Sequence, residues 1–142
     1  MNLKVAAYTI LVAALFCVLA GCGEGPIKTV PVTGSVSFSD RQPPTRCELV
    51  FQPIKVEGPL RPSFTEAQPD GSYQVKAFKS SRGLIPGTYR VQVVCKDLKP
   101  GANIALESSW TTTNYDGGEV NVEAKSGGIE HNIEVKGPGK KS

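Results

Sequence analysis

The sequence contains very few of the residues on which most enzyme active sites and metal centres depend. It has one His, one Trp and one Met among 142 residues, and aromatic residues make up only 7%. A single imidazole cannot supply the three or four His, Cys or acidic ligands that a zinc site needs. Phosphate-binding glycine loops and calcium-type Asp-x-Asp-x-Asp-Gly loops are also missing from the sequence. We therefore expect no catalytic residues, no metal and no cofactor.

Clusters of like charge and helical periodicity are lacking as well. The chain has 16 Lys and Arg against 13 Asp and Glu, spread without long runs of one sign. Because a surface that follows phosphates needs clustered cations, nucleic-acid binding is disfavoured. After the first segment, apolar residues never recur at helical spacing for more than a turn, and 11 Pro are scattered along the chain. Since Pro breaks helices, these patterns predict an all-β fold.

Long apolar runs are confined to the start of the chain, where 17 apolar residues fall within the first 21 positions. Lys4 precedes the run Val5–Ala20, which is shorter than the about 20 residues of a spanning helix and typical of a secretory signal. The run ends in Leu19-Ala-Gly-Cys22, the bacterial lipobox pattern. We predict that residues 1–21 are a signal peptide and that Cys22 receives a diacylglyceryl group. An uncleaved N-terminal anchor is the alternative.

The predicted lipid places the mature protein in the cell envelope, with its domain outside the cytoplasm. Two or three acyl chains on Cys22 suffice for stable attachment to a membrane. Gly23 follows the cysteine where an Asp would favour retention at the inner membrane, so outer-membrane sorting is favoured. We expect a tether over residues 22–29, one domain over residues 30–136 and a flexible basic tail over residues 137–142.

Period-two alternation begins at Val30 and predicts strands with one buried face. Further strands are predicted at Cys47–Gln52, Ser63–Gln68, Ser72–Phe78, Thr88–Lys96, Glu119–Ala124 and Ile129–Lys136. The turn sequences Pro69-Asp-Gly71 and Lys125-Ser-Gly-Gly128 predict two hairpins. About seven short strands with these spacings predict one seven- to eight-stranded Greek-key β-sandwich, similar to immunoglobulin domains.

Two of the four cysteines remain for the domain once the signal and its lipid attachment point are set aside. Cys47 shares a strand face with Leu49, and Cys95 shares one with Val93, so both sulfurs are expected to face the core. An oxidising compartment favours a disulfide, worth roughly 4 kcal/mol for this loop length in the chain-entropy model. Two separate buried thiols are the alternative.

Several short motifs, with the lipobox, resemble a known family. They are Val32-Thr-Gly-Ser-Val-Ser-Phe38, Val50-Phe-Gln-Pro53, Asp70-Gly-Ser-Tyr73, Ile85-Pro-Gly-Thr-Tyr-Arg-Val91 and Gly127-Gly-Ile-Glu-His-Asn-Ile133. Together they resemble the carboxypeptidase-regulatory-like, or transthyretin-like, small lipoproteins of planctomycete-type bacteria. The resemblance implies a seven- or eight-stranded sandwich tethered by lipid, with no established activity. Cys47 and Cys95 stand where that family more usually has small or apolar residues.

The enzymatic branch of the transthyretin-like proteins is not matched at its functional residues. Those enzymes cleave hydroxyisourate with several His and Arg and end in Tyr-Arg-Gly-Ser, whereas this chain ends in Gly-Lys-Lys-Ser. His131 alternates with Ile129 and Ile133, so a core or edge imidazole with one hydrogen-bond partner is favoured. A small thiol- or metal-dependent enzyme using His131 is the alternative; the thiol version would require Cys47 or Cys95 to be free.

The stretch Ser108–Gly118 has the least regular pattern, and a loop that crosses between the sheets is predicted over Glu107–Gly118. It contains Trp110 and Tyr115 around the run Thr111–Asn114, a composition that suits stacking against sugars and hydrogen bonding to them. In the alternative interpretation Trp110 folds back as a cap on the sandwich edge. The predicted function is a non-catalytic binding or structural module, held to the membrane through Cys22, with an envelope protein or a glycan as partner. A spacer without a ligand is the further alternative.

Overall fold

The computed structural model describes residues 28–75, 83–124, 127–137 and 139–141. The predicted signal peptide, the lipobox and Cys22 lie outside the described residues, as do most of the tether and the end of the strand predicted at Ser72–Phe78. Within the described ranges, no helix is long and apolar enough to cross a membrane.

The described chain is all-β, as the alternation predicts, apart from a single 3-10 turn at Glu107–Ser109. The strands are β1 Val32–Phe38, β2 Arg46–Val56, β3 Ser63–Glu66, β4 Ser72–Gln74, β5 Gly87–Leu98, β6 Trp110–Val122, β7 Ile129–Glu130, β8 Ile133–Val135 and β9 Lys140–Lys141. One sheet has the order β4-β1-β7, with β8 also paired to β1, and the other has the order β3-β2-β5-β6-β9. The two sheets form a sandwich.

One hydrophobic core lies between the sheets and is built from alternate residues of each strand. Its largest fully buried side chains are Phe51, Leu49, Leu84, Val32, Val75, Val91, Val93, Val122 and Val135. Each such side chain contributes roughly 1.5–3 kcal/mol of transfer free energy. A sequence with few apolar residues can build this core because each strand has to bury only one face.

The disulfide Cys47–Cys95 is formed inside this core, which confirms the bonded alternative. The two cysteines are direct partners in the antiparallel pairing of β2 with β5, and their Cα atoms are 4.1 Å apart. Their exposed fractions are 6% and 1%, so both sulfurs face inward as predicted. The bond therefore joins the central strand of the five-stranded sheet, β5, to its inner neighbour β2.

The first predicted hairpin is wrong, although its turn is present. The turn closes with a hydrogen bond from the Gly71 amide to the Gln68 carbonyl, 2.8 Å. The flanking strands then separate, because β3 pairs with β2 in one sheet and β4 pairs with β1 in the other. A turn motif determines only that the chain reverses. The strand before the turn, β3, pairs with the edge of β2, and the strand after it, β4, pairs with the edge of β1.

The second predicted hairpin is also wrong, for a similar reason. β6 ends at Val122 in the five-stranded sheet, whereas β7 and β8 pair in parallel with β1 in the other sheet. Ile133 and Val135, in β8, are 4% and 2% exposed. The chain thus crosses between sheets so that these apolar residues can fill the core from the opposite side.

The loop predicted at Glu107–Gly118 is wrong as well, because most of it belongs to the 13-residue strand β6. A β-bulge conceals the strand in the sequence. Arg90 of β5 is opposite Glu119 of β6, and Gln92 is opposite Asp116. Two steps along β5 therefore match three steps along β6, so β6 contains one extra residue. The extra residue shifts the alternation within β6.

Gly118 allows this bulge because its φ is +78°, a conformation that L side chains rarely adopt. The shift lets Tyr115 and Val120 both point into the core, at 7% and 5% exposure, although they are five positions apart and would face opposite sides of a regular strand. A period-two search across the bulge therefore finds no strand.

The tail over residues 137–142, predicted to be flexible, includes a short strand in the structure. Lys140–Lys141 form β9 and pair antiparallel with Thr113 and Asn114 of β6. β9 is thus the fifth strand of the five-stranded sheet and forms one of its edges.

Candidate functional site

The sandwich has two distinct ends, which are set by the direction of β5. At one end, called here the near end, Val30 forms a β-bridge with Leu84 just before β5 begins at Gly87. β5 then runs for 12 residues, roughly 40 Å, to Leu98, which is paired with Trp110 at the far end. The described chain therefore starts at the near end, whereas the connection between β5 and β6 lies at the far end.

The far-end connection, residues 99–109, is held in place by hydrogen bonds. The Lys99 amide donates to the Ser109 carbonyl at 2.8 Å, and the Lys99 ammonium donates to the Ser108 carbonyl at 2.7 Å. The Trp110 Nε1 donates to the Ile104 carbonyl at 3.3 Å. These bonds hold the connection in one conformation, so that it forms a wall at the far end of the sheet. Ile104 lies on this wall and is 69% exposed.

Beside this wall is a cleft of about 490 Å³ on the outward face of the five-stranded sheet, called here the far cleft. It is lined by Thr45, Arg46, Glu66, Lys96, Ile104, Glu107 and Trp110. The register explains why Arg46 and Lys96 meet there. They are direct partners next to the Cys47–Cys95 pair, and because side chains alternate along a strand, they face outward where the cysteines face inward.

The charged groups of the far cleft form two ion pairs. Arg46 contacts Glu66 twice, with Nε to Oε1 at 2.5 Å and Nη2 to Oε2 at 3.2 Å. Lys96 Nζ is 2.9 Å from Glu107 Oε1. Two cations and two anions therefore balance each other across the cleft.

Part of the Thr-rich run continues the outward face beyond Trp110. Thr112 is opposite Lys96, and Asn114 is opposite Val94, both on the outward side of the register. Thr113 is instead opposite Cys95, which faces the core. Only alternate residues of the predicted sugar-binding run thus share the outward face with Trp110.

Tyr115 is separated from Trp110, contrary to their predicted placement in one loop. Its ring is 7% exposed and contacts Phe38 in an edge-on arrangement, with ring centroids 5.8 Å apart. Arg41 Nη1 donates to the Tyr115 hydroxyl at 3.1 Å, and the guanidinium also lies over the ring. Since the two aromatics are five residues apart in one strand, they face opposite sides of the sheet.

The groups around Tyr115 connect the β1–β2 loop to the C-terminus. Arg41 contacts Asp40 at 3.1 Å and also donates to the Gly137 carbonyl. Asp40 Oδ2 in turn accepts from the Gly137 amide at 3.2 Å. The hydrogen bond from Arg41 lowers the pKa of Asp40 below its usual value. These contacts hold the β1–β2 loop against the segment that follows β8.

His131 lies between β7 and β8, with its backbone bonded on both sides. Its amide donates to the Thr33 carbonyl at 2.8 Å, and its carbonyl accepts from the Tyr73 hydroxyl. Its Nε2 is buried without a hydrogen-bond partner among the described residues, so the predicted side-chain partner is not found at that atom.

The thiol chemistry considered with His131 is excluded in this disulfide-bonded form of the protein. Cys47 and Cys95 are bonded to each other, so neither is a free thiolate. Within the described residues, no group of three or more His, Cys, Asp or Glu could hold a metal ion.

A second depression, of about 580 Å³, lies between the edge strands β3 and β4. Phe64 is 53% exposed there, and the Thr65 hydroxyl donates to the Gln74 carbonyl at 2.7 Å, across the two sheets. This hydrogen bond identifies the groove as the junction where the sheets meet. The far cleft is the better candidate site because both ion pairs, Arg46–Glu66 and Lys96–Glu107, converge there with Trp110 beside the hydrogen-bonded 99–109 connection.

Reasoning from the sequence missed four charged residues of the far cleft: Arg46, Glu66, Lys96 and Glu107. A signal for two of them was present. If Cys47 and Cys95 are bonded across adjacent antiparallel strands, their neighbours Arg46 and Lys96 must be opposite each other on the outward face. Glu66 and Glu107 come from elements whose position depends on long-range pairing and on the 99–109 connection.

A scan against models of known protein families finds no match. A search of curated proteins finds none either. Among solved structures, the chain is similar to the crystal structure of a candidate adhesin from Bacteroides ovatus, with a TM-score of 0.46 and 14% identity. The likeness covers 82% of this chain and 49% of that one, so this chain spans about half the length of that protein. The function is therefore argued from the chain's own residues.

Proposed function

We propose that this protein is a lipid-anchored lipoprotein of the bacterial cell envelope whose β-sandwich is a non-catalytic binding module. The lipobox ending at Cys22, the all-β fold and the internal disulfide support an exported protein. The main observation in favour of a binding role is the far cleft, where Trp110 and two ion pairs lie together on the outward face of the five-stranded sheet. The resemblance to the transthyretin-like lipoproteins stays a prediction that agrees with this proposal.

The arrangement of the two ends supports a ligand located away from the anchoring membrane. A tether over residues 22–29 spans at most about 25 Å when extended, and it enters the domain at the near end. The far cleft lies at the opposite end of β5. In the proposed module the cleft therefore lies at the end of the domain that is farther from the anchoring membrane, where it can bind other components of the cell envelope.

Mass spectrometry of the membrane fraction tests the anchor. We expect an N-terminal peptide that begins at Cys22 and carries acyl chains. A Cys22→Ser variant is the control, and it should lose the acylated peptide and leave the lipid fraction. An intact signal segment, or a soluble protein beginning at Gly23, would contradict the anchor.

A crosslinking pull-down from native membranes tests the binding role. We expect Trp110→Ala to reduce capture of the partner at least tenfold relative to the unaltered protein. Arg90→Ala is the matched control, because Arg90 pairs with Glu119 at 3.3 Å on the same sheet face but nearer the other end. Equal capture by both variants would exclude the far cleft as the site. Loss of envelope integrity on deletion, without any captured partner, would favour a spacer instead.

A further inference from the structure

We infer that the far cleft binds an uncharged carbohydrate, an inference that rests on the binding role proposed above. Four properties of the cleft lead to it: its balanced charge, the hydrogen-bonding capacity of its ion pairs, the partly exposed Trp110 in its lining and the hydrogen bonds that hold its wall. Each of them follows from the contacts described.

The balanced charge disfavours an ionic ligand. An anion in the far cleft would be attracted by Arg46 and Lys96 but repelled by Glu66 and Glu107. A cation would be attracted by the two carboxylates and repelled by the two basic side chains. Because these groups already neutralise one another, an ion gains little attraction and loses its hydration. A neutral, polar ligand does not carry this penalty.

The paired side chains provide donors and acceptors side by side. Arg46 and Lys96 can only donate hydrogen bonds, and ionised Glu66 and Glu107 can only accept them. A sugar hydroxyl both donates and accepts, so two neighbouring hydroxyls can bind a Glu–Arg or Glu–Lys pair without separating it. Charge-assisted hydrogen bonds of this kind are the stronger class.

Trp110 provides the apolar component of the cleft. Its Nε1 already donates to the Ile104 carbonyl, so its remaining contact surface is the aromatic ring. A pyranose ring presents C–H groups on one face, and these are attracted to the negative face of an aromatic system. Ile104, at 69% exposure, extends this apolar surface along the wall.

The size of the far cleft and the hydrogen bonds of its wall suit one or two sugar rings. Its volume of about 490 Å³ falls within the usual range for small-molecule sites. The hydrogen bonds of the 99–109 connection fix the wall before the ligand arrives. A preformed site avoids most of the ordering cost that weakens binding by flexible loops.

The experiment uses the full-length protein in a zwitterionic detergent without a sugar headgroup. The ligands are neutral di- to tetrasaccharides of glucose, galactose, mannose and N-acetylglucosamine, together with uronic-acid oligosaccharides and neutral peptides. Trp110 is the chain's one tryptophan, so its fluorescence reports directly on the cleft. We expect at least one neutral sugar series to change this fluorescence with saturation, and the uronic acids and peptides to leave it unchanged.

Variants measured by calorimetry provide a second readout. Trp110→Ala should weaken sugar binding at least tenfold, Trp110→Phe should restore part of it, and the control Arg90→Ala should bind normally. Glu107→Gln leaves the cleft with one excess positive charge, so it should gain measurable binding of uronic-acid oligosaccharides. Circular dichroism establishes that each variant folds.

Several results would overturn the carbohydrate inference, and they differ from those that overturn the proposed function. Preference for charged sugars or peptides, unchanged affinity in Trp110→Ala, or no binding to any neutral series would each reject an uncharged carbohydrate. If the pull-down still captures a partner through Trp110, the binding role stands and the ligand is a protein or a charged glycan. If a partner is captured without dependence on Trp110, the far cleft is excluded as the site and the carbohydrate inference fails, whereas capture of no partner at all rejects the binding role itself.

Discussion

The two faces of the five-stranded sheet are made by the same strands and yet differ in almost every physical property. The inward face carries Leu49, Phe51 and Val93, each fully buried, and the disulfide. The outward face carries ion pairs whose side chains are largely exposed, such as Arg46 and Glu66 at 63% and 49%. Since exposed ion pairs contribute only about 0–1 kcal/mol each, the outward face adds little to the stability of the fold.

This difference separates stability from binding along single strands. A residue and its direct neighbour point to opposite faces, so replacing one should change the free energy of unfolding and replacing the other should change ligand affinity. The loss of stability should therefore be largest at the disulfide on the inward face and smallest at the ion pairs on the outward face.

The double variant Cys47→Ala/Cys95→Ala should lose roughly 4 kcal/mol of unfolding free energy, because the disulfide constrains the unfolded chain across a sequence separation of 48. Urea denaturation measures this loss. The reduced wild-type protein should show a similar loss, and reductant should not affect the double variant. A loss below about 1 kcal/mol would mean that the inward face does not depend on this bond.

Val93→Ala and Val94→Ala make the most direct comparison of the two faces. Val93 is 0% exposed in the core, whereas Val94 is partly exposed on the outward side. We expect losses of about 2–3 kcal/mol and less than about 1 kcal/mol respectively, because only the buried site leaves a cavity. Urea midpoints measure both variants under identical conditions. Equal losses would show that the outward face is packed like a core.

The sequence predicts the inward face well and the outward face poorly, for a physical reason. Burial imposes a period of two, so the inward positions of Cys47, Leu49 and Val93 follow from local alternation. The contents of the far cleft depend on which strands become neighbours. Glu66 reaches Arg46 only because β3 joins β2 instead of β4, and a turn motif does not specify that choice.

The position of Trp110 shows how local and long-range information combine. Its residue type suggested a ligand contact, but the bulge at Gly118 concealed the strand on which it lies. Once β6 is paired with β5, Trp110 and Tyr115 are assigned to opposite faces. A register constraint, such as a known Cys47–Cys95 bond, is the information that the alternation alone lacked.

Tyr73 lies on β4, in the sheet opposite the five-stranded one, and it gives the core between the two sheets a dependence on alkaline pH. Burial raises the pKa of this phenol well above its usual value, so the folded state keeps the proton after the unfolded state has lost it. Stability should therefore be complete below about pH 10 and fall above it, by at most about 1.4 kcal/mol per pH unit from this group.

Urea denaturation between pH 9 and 11 tests the contribution of Tyr73, with Tyr73→Phe as the comparison. The variant should lose stability less steeply over this range. Burial also raises the pKa of Tyr89, so some slope should remain. An unchanged slope in Tyr73→Phe would show that this phenol is not the group responsible.

The bulge in β6 should tolerate Ala poorly at Gly118. The residue has a φ of +78°, and an added Cβ would meet no atom within 4 Å, so the cost is backbone strain alone. We expect a loss of about 1–2 kcal/mol in thermal or urea unfolding. Gly127→Ala is the matched control, because its Cβ would also meet nothing within 4 Å and its φ is not in the positive range. Similar losses in both variants would argue against a strained bulge.

The smallest change in stability should come from the far cleft itself. Replacing Arg46 by Met and Glu66 by Gln together removes an exposed pair, and the free energy of unfolding should fall by no more than about 1 kcal/mol. The same double variant should lose most of its affinity for the neutral sugars, because the paired donors and acceptors are gone while Trp110 remains. Urea denaturation and calorimetry on one preparation measure both quantities. A large loss of stability with normal sugar binding would reverse the roles assigned to the two faces, since the outward pair would then stabilise the fold and the ligand would bind elsewhere.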